Sequence, residues 1–207
     1  MLNRRKYAPN SMLQLMLGYA VIITAGSFLL ALPISSKIPG STSIVDALFT
    51  AVSATCVTGL VVFDTYSHWT MFGQLVILLM IQIGGIGFLT VIIGAMTLTH
   101  RRIGLKQRFA MQDAVSAPQV GGIVRMARFI LNGSFLFEGL GALALAFRFC
   151  PQFGLGRGLY FAVFHSVSAF CNAGFDLMGY RAVTSSMTAY AGDPVVTLVM
   201  MALIVIG

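Results

Sequence analysis

A chain of 207 residues has the length of one or two ordinary domains, but only 9% of it is charged and 57% is hydrophobic, whereas an average soluble chain is roughly 25% charged. At a mean hydropathy of +0.89 there is too little polar surface to cover a water-soluble globule, so the apolar excess must face lipid. That excludes a cytosolic enzyme, a disordered tail and a nucleic-acid module, despite the net charge of +7.

The start, MLNRRKYAPNSM at 1–12, is basic and shows no signal-peptide cleavage pattern before the apolar stretch that follows,. Leu13 to Leu32 is free of charge and stops at Pro33; twenty residues at 1.5 Å each give about 30 Å, one bilayer core. Ser43 to Ala54 is helix-length but too short to cross, with capping oxygens at Ser43 and Asp46,. The run Thr55-Cys56-Val57-Thr58-Gly59-Leu60 then suits extended backbone, and a short helix with an extended return reads as a re-entrant loop lining a watery cavity. A second span is expected from Met71 to Leu98, then a basic loop over 99–128, and a third span from Phe129 to Phe147. A fourth begins at Pro194 and is still apolar at Gly207, so the chain is expected to end inside a membrane helix. Cys56, Cys150 and Cys171 form neither a disulfide framework nor a metal-ligand spacing,.

Arg4, Arg5 and Lys6, with Arg101, Arg102, Lys106, Arg108, Arg125 and Arg128, supply nine of the thirteen basic residues. By the positive-inside rule the N-terminus and the 99–128 loop are cytoplasmic, and the re-entrant loop enters from outside.

The chain also repeats. Shifted by 115 residues, 47–59 falls on 162–174 with seven of thirteen positions identical, including Ser53/Ser168, Cys56/Cys171 and Gly59/Gly174. Ile81-Gln82-Ile83-Gly84 likewise resembles Ile204-Val205-Ile206-Gly207. The expected fold class is therefore an all-α membrane protein of tandem span–re-entrant pore loop–span repeats, with units at 13–98 and 129–207. A re-entrant helix brings the negative end of its dipole to mid-membrane, where a dehydrated cation can sit. A glycine in the return admits dihedrals barred to other residues, so that successive carbonyls can face one axis.

Three segments, SATCVTGLVVFDT at 53–65, GGIGF at 84–88 and HSVSAFCNAGFD at 165–176, resemble the Trk/Ktr/HKT superfamily of potassium transporters, in particular its bacterial Ktr-type membrane subunits. The resemblance covers the whole chain. It implies four such repeats around one pore, of which this sequence holds the first and most of the second, as an N-terminal half. It implies a selectivity filter formed by the backbone carbonyls of Cys56, Val57, Thr58 and Gly59 and of Cys171, Asn172, Ala173 and Gly174. Glycine at 59, where sodium-selective members tend to carry serine, favours potassium. It further implies plasma-membrane potassium uptake, with potassium as the transported ion held by carbonyls alone, sodium as a coupling ion in some members, and no covalently bound cofactor. A homodimer and a cytosolic nucleotide-binding regulatory ring are the expected partners.

Other residues admit two readings. Glu138, the one acid inside an expected span, is either an ion-path group or a hydrogen-bonded link between helices, and Gly133, Gly139 and Gly141 beside it mark a close-packed face. His165 is expected packed behind the second loop, not as a metal ligand or base. Asp64 and Asp176 either gather cations at the outer mouth or cap loops. Gly84, Gly85 and Gly87 are expected to serve packing or a bend. Two readings stand against a pore: an intramembrane enzyme using Glu138 and a histidine, for which no residues pair, and a non-conducting regulatory membrane protein. A sodium-conducting or sodium-coupled relative is the remaining alternative, and no catalytic residue is assigned.

Overall fold

The computed structural model describes residues 8–87, 90–91, 123–180 and 186–207. Among them every regular element is helical: α1 (Ala8–Ala31), α2 (Ile44–Thr55), α3 (Thr65–His68), α4 (Met71–Ile86), α5 (Ile123–Phe153), α6 (Leu155–Phe170) and α7 (Pro194–Ile206), with 3₁₀ turns at Met178–Tyr180 and Ser186–Tyr190. The starts of α2, α4 and α7 are set by local side chains. Ser43 and Asp46 form a reciprocal capping box on α2, Thr70 accepts from the Gly73 N–H at the head of α4, and Asp193 caps α7 ahead of Pro194. Each satisfies backbone donors that the first turn cannot.

The helices pack as two similar units, α1 with α2 and α4, and α5 with α6 and α7, joined where α4 meets α5 and α6. One continuous core runs through both, with Leu30, Trp69 and Ile77 buried in the first and Leu145, Phe149 and Phe161 in the second. The outer faces are also apolar: Phe129 and Phe147 on α5 are 79% and 81% exposed. Large aromatic side chains on an outer face suit lipid and not water. Among the described residues one helix, Val124–Phe153, is long and apolar enough to cross a bilayer, while Leu15–Ala31, Met71–Ile86 and Pro194–Ile206 are apolar and shorter.

Two expected boundaries change. The apolar run from Met71 to Leu98 is not one helix: α4 ends at Ile86, and Gly87 takes φ +85. Hydropathy cannot register this break, because it depends on backbone dihedrals that glycine alone adopts freely. The third span is longer than 129–147, and Arg125 and Arg128 belong to its helix and not to a loop. Arg4, Arg5, Lys6, Arg101, Arg102, Lys106 and Arg108, and Phe88 of GGIGF, lie outside the described residues.

Candidate functional site

The return after α2 departs from the helix at once. Cys56 donates its N–H to the Val52 carbonyl as the last helical bond, and Val57 then takes φ +57. A β-branched residue in the left-handed region is strained, so its surroundings must hold it there. Ser53 does much of this. The Thr58 N–H donates to the Ser53 carbonyl at 3.0 Å, and the Ser53 hydroxyl donates to the Leu60 carbonyl at 2.6 Å and lies 2.9 Å from Thr58 Oγ1. Gly59, between them, has φ +73.

The return after α6 is built the same way. Cys171 closes the helix on Val167, Asn172 takes φ +57 and Gly174 takes φ +73. The Ala173 N–H donates to the Ser168 carbonyl at 2.7 Å, and the Ser168 hydroxyl donates to the Phe175 carbonyl at 2.6 Å. Further back, Thr50 Oγ1 donates to the Asp46 carbonyl. His165, at the matching place, bonds the Phe161 carbonyl through Nδ1 at 2.6 Å.

The two returns meet at their glycines. A β-carbon added to Gly59 would lie 2.9 Å from the Ala173 carbonyl oxygen, and one added to Gly174 would lie 3.2 Å from the Gly59 α-carbon. Small residues on the long helices bring each return into place. Gly84 presses on the Thr55 carbonyl and Gly207 on the Phe170 carbonyl, so closely that a side chain at either would collide with backbone. Gly26 rests on Met80 as Gly141 rests on Leu203. The duplication therefore extends from sequence identity to individual contacts, with a shift of 115 for the first helix and loop of each unit and 123 for the last helix. Gly85 reaches across, and a β-carbon there would lie 2.5 Å from Cys171 Sγ of the other unit.

Comparison with known proteins points the same way. The profile described as "TrkH: Cation transport protein" matches residues 8–207. The chain belongs to the TrkH family. It is 42% identical over 193 residues to the Ktr system potassium uptake protein B of Bacillus subtilis, covering 93% of this chain and 42% of that protein. It is 37% identical over 190 residues to the potassium/sodium uptake protein NtpJ of Enterococcus hirae, covering 92% and 41%. It is 33% identical over 193 residues to the Ktr system potassium uptake protein B of Vibrio alginolyticus, covering 93% and 41%. The chain thus spans about two fifths of the length of the curated relatives it matches. Membership in a cation transport family makes it a membrane protein.

Against this family background the singled-out residues fall into place. Cys56 and Thr58 are exposed with Asn172 and Gly174, Val57 and Gly59 are half-buried, and Cys171 and Ala173 are buried. The Asn172 side chain turns away to donate to the Ile204 carbonyl at 3.3 Å. Asp64 caps α3, accepting from the Ser67 N–H at 2.7 Å, and lies against Gly179. Asp176 accepts from the Met178 N–H at 2.8 Å. Both carboxylates therefore act as loop caps. His165 is 1% exposed; its Nε2 accepts from the Leu177 N–H at 3.1 Å, so Nδ1 carries the proton and the ring ties the return to its helix. Glu138 is a link between helices, with both oxygens accepting from Gln82 Nε2 at 2.8 and 2.9 Å.

The expectation of one glycine-packed face on α5 is corrected. Gly141 makes close contacts, whereas β-carbons on Gly133 and Gly139 would meet nothing within 4 Å. Sequence reasoning noted Ser53 and Ser168 as an identical pair under the repeat but gave them no role. It also missed Gln82 as the partner of Glu138, since nothing local relates residues 56 positions apart.

Proposed function

We propose that the chain supplies two walls of a potassium-selective pore, and that the complete protein takes up potassium across the plasma membrane with its N-terminus in the cytoplasm. The supporting observation is the contact of two loops with the same positive φ values, Gly59 against Gly174, at the ends of α2 and α6. The carbonyls of Cys56 to Gly59 and Cys171 to Gly174 replace the ion's hydration water, and the negative ends of α2 and α6 favour a cation there. The matched unit is a span, a pore loop and a span, used in tandem. No covalent step is involved, so the function needs no catalytic residue or bound cofactor. A homodimer docked on a cytosolic nucleotide-binding ring is the assembly in which we expect it to work. The relative named for potassium and sodium uptake supports one alternative within this reading, a pore that also passes or couples sodium.

Rubidium uptake into liposomes by the complete protein, with potassium and sodium as competitors, tests this. Gly59→Ser adds a side chain at φ +73, against the Ala173 carbonyl, and we expect it to lower the uptake or its preference for potassium by about tenfold or more. Potassium-preferring uptake indifferent to that change would mean that the loops are scaffold and the path lies elsewhere.

A further inference from the structure

Three polar side chains stand at the seam between the two units, and none has a polar counterpart in the repeat. Under the shifts that superpose the contacts, Glu138 of α5 falls on Ile23, Ser166 of α6 on Ala51, and Gln82 of α4 on Val205. The duplicated unit therefore folds without them. Yet in this chain Glu138 and Ser166 are buried, Gln82 is half-buried beside them, and the three are bonded together. Gln82 Nε2 donates to both Glu138 oxygens at 2.8 and 2.9 Å, and the Ser166 hydroxyl donates to the Glu138 backbone carbonyl at 2.6 Å. The Cys171 thiol lies 4.0 Å from Glu138 Oε1. Glu138 is 5% exposed, and among the described residues no lysine or arginine pairs with it. A carboxyl group at this depth is costly unless it is fully bonded, so its retention calls for a return beyond packing.

Position indicates what that return is. Gln82 lies two residues before Gly84, whose contact carries the end of α2, and three before Gly85, which touches Cys171. Ser166 and Cys171 lead directly into the second return. The cluster thus ties α4, whose Gly84 carries the end of α2 and so the first loop, to α5 and α6, which set the second. We infer that the Gln82–Glu138 bridge is a positioning element that fixes the spacing of the two glycine loops and thereby sharpens the preference for potassium over sodium. This rests on the pore reading above. Glu138 acts here through its neighbours and does not touch the ion.

The test is the same competition assay on the complete protein. Glu138→Ala and Gln82→Leu should each leave uptake measurable and lower the potassium-over-sodium preference about tenfold, the scale of one lost hydrogen bond to a charged group. The double variant should be no worse than either single one, because one interaction is being removed. Glu138→Gln keeps an oxygen for Gln82 and should hold the preference within about twofold. Asp193→Asn, which removes the ion pair with Arg148 away from the loops, serves as a structural control and should leave the preference alone. Unchanged preference in the single variants would overturn the proposal. So would a Glu138→Gln variant as impaired as the alanine, which would make the charge itself the functional element. If Glu138→Ala is not recovered folded, Gln82→Leu and Glu138→Gln decide on the same terms. A wild-type protein that takes up rubidium with no potassium preference would overturn the potassium-selective reading and this inference with it, and is recognised because the variants then have nothing to lose.

Discussion

Ser53 and Ser168 make the same bond: each hydroxyl donates 2.6 Å to the carbonyl seven residues ahead, Leu60 in one loop and Phe175 in the other. Each serine's own carbonyl accepts the N–H five residues ahead. One residue, through its hydroxyl and its own carbonyl, thus clasps a return that holds a non-glycine residue at φ +57.

Ser168→Ala should destabilise the protein by about 1–3 kcal/mol, the usual result of leaving a buried carbonyl unsatisfied, and Ser53→Ala by about 1 kcal/mol, because its acceptor is on the exposed Leu60,. Thermal unfolding of the complete protein in detergent measures this, with potassium present and absent. Equal melting of wild type and variants would show that the clasp is not what holds the left-handed residue.

Gly84→Ala should be far more damaging than its chemistry suggests, because the added carbon would collide with the Thr55 backbone carbonyl. Backbone cannot rotate aside as a side chain can, so α4 must shift, at a cost of about 1–3 kcal/mol or more. Gly133→Ala and Gly139→Ala meet open space and should fall within about 0.5 kcal/mol of wild type. Three melting curves separate these outcomes, and a tolerant Gly84 would contradict the packing described.

Acid should loosen the loop around α3. Burial pushes the His68 imidazole below its ordinary 6.5, against an opposing pull from Asp46. The ring stacks on Phe63 at 3.9 Å, and Nε2 lies 2.8 Å from Thr42 Oγ1. Because the folded protein binds this proton less readily than the unfolded chain, the contribution is complete above pH 6.5 and is lost as pH falls through the lower folded value. The melting temperature of wild type should therefore drop between about pH 7.5 and pH 5 by more than that of His68→Gln, which cannot titrate. Identical pH profiles would rule out His68 as the group responsible.

Much of this arrangement was legible in the sequence, for reasons that differ by residue. The loops were visible because Cys56/Cys171 and Gly59/Gly174 repeat along the chain, and positive φ at both glycines agrees with the dihedral argument made for them. The first short helix was visible because Ser43 and Asp46 carry a capping signal that acts within one turn, and the second because its residues repeat those of the first. Glu138 was recognised as needing a partner, because an acid amid apolar residues must find one. What the sequence hid was tertiary. Gln82 could not be matched to Glu138 by any local pattern, and Gly141 could not be told from Gly133 and Gly139 without knowing which side of α5 faces Ser166 and Leu203. The end of α4 at Gly87 was masked by unbroken hydropathy.

The separation of contacts into two sets also bears on how the protein is made. The bonds and packings that shape the first loop, Ser53 with Leu60, Gly84 with Thr55 and Gly26 with Met80, join residues that have all left the ribosome before α5 is synthesised. The first unit can therefore assemble in the bilayer during translation and present a finished wall to the second as it emerges. The ties that follow, Tyr160 to Gln74 and Gln82 to Glu138, then close like a zip between two prefabricated halves, and cysteine pairs engineered across Gly26–Met80 and across the α4–α5 seam would cross-link in that order in arrested nascent chains.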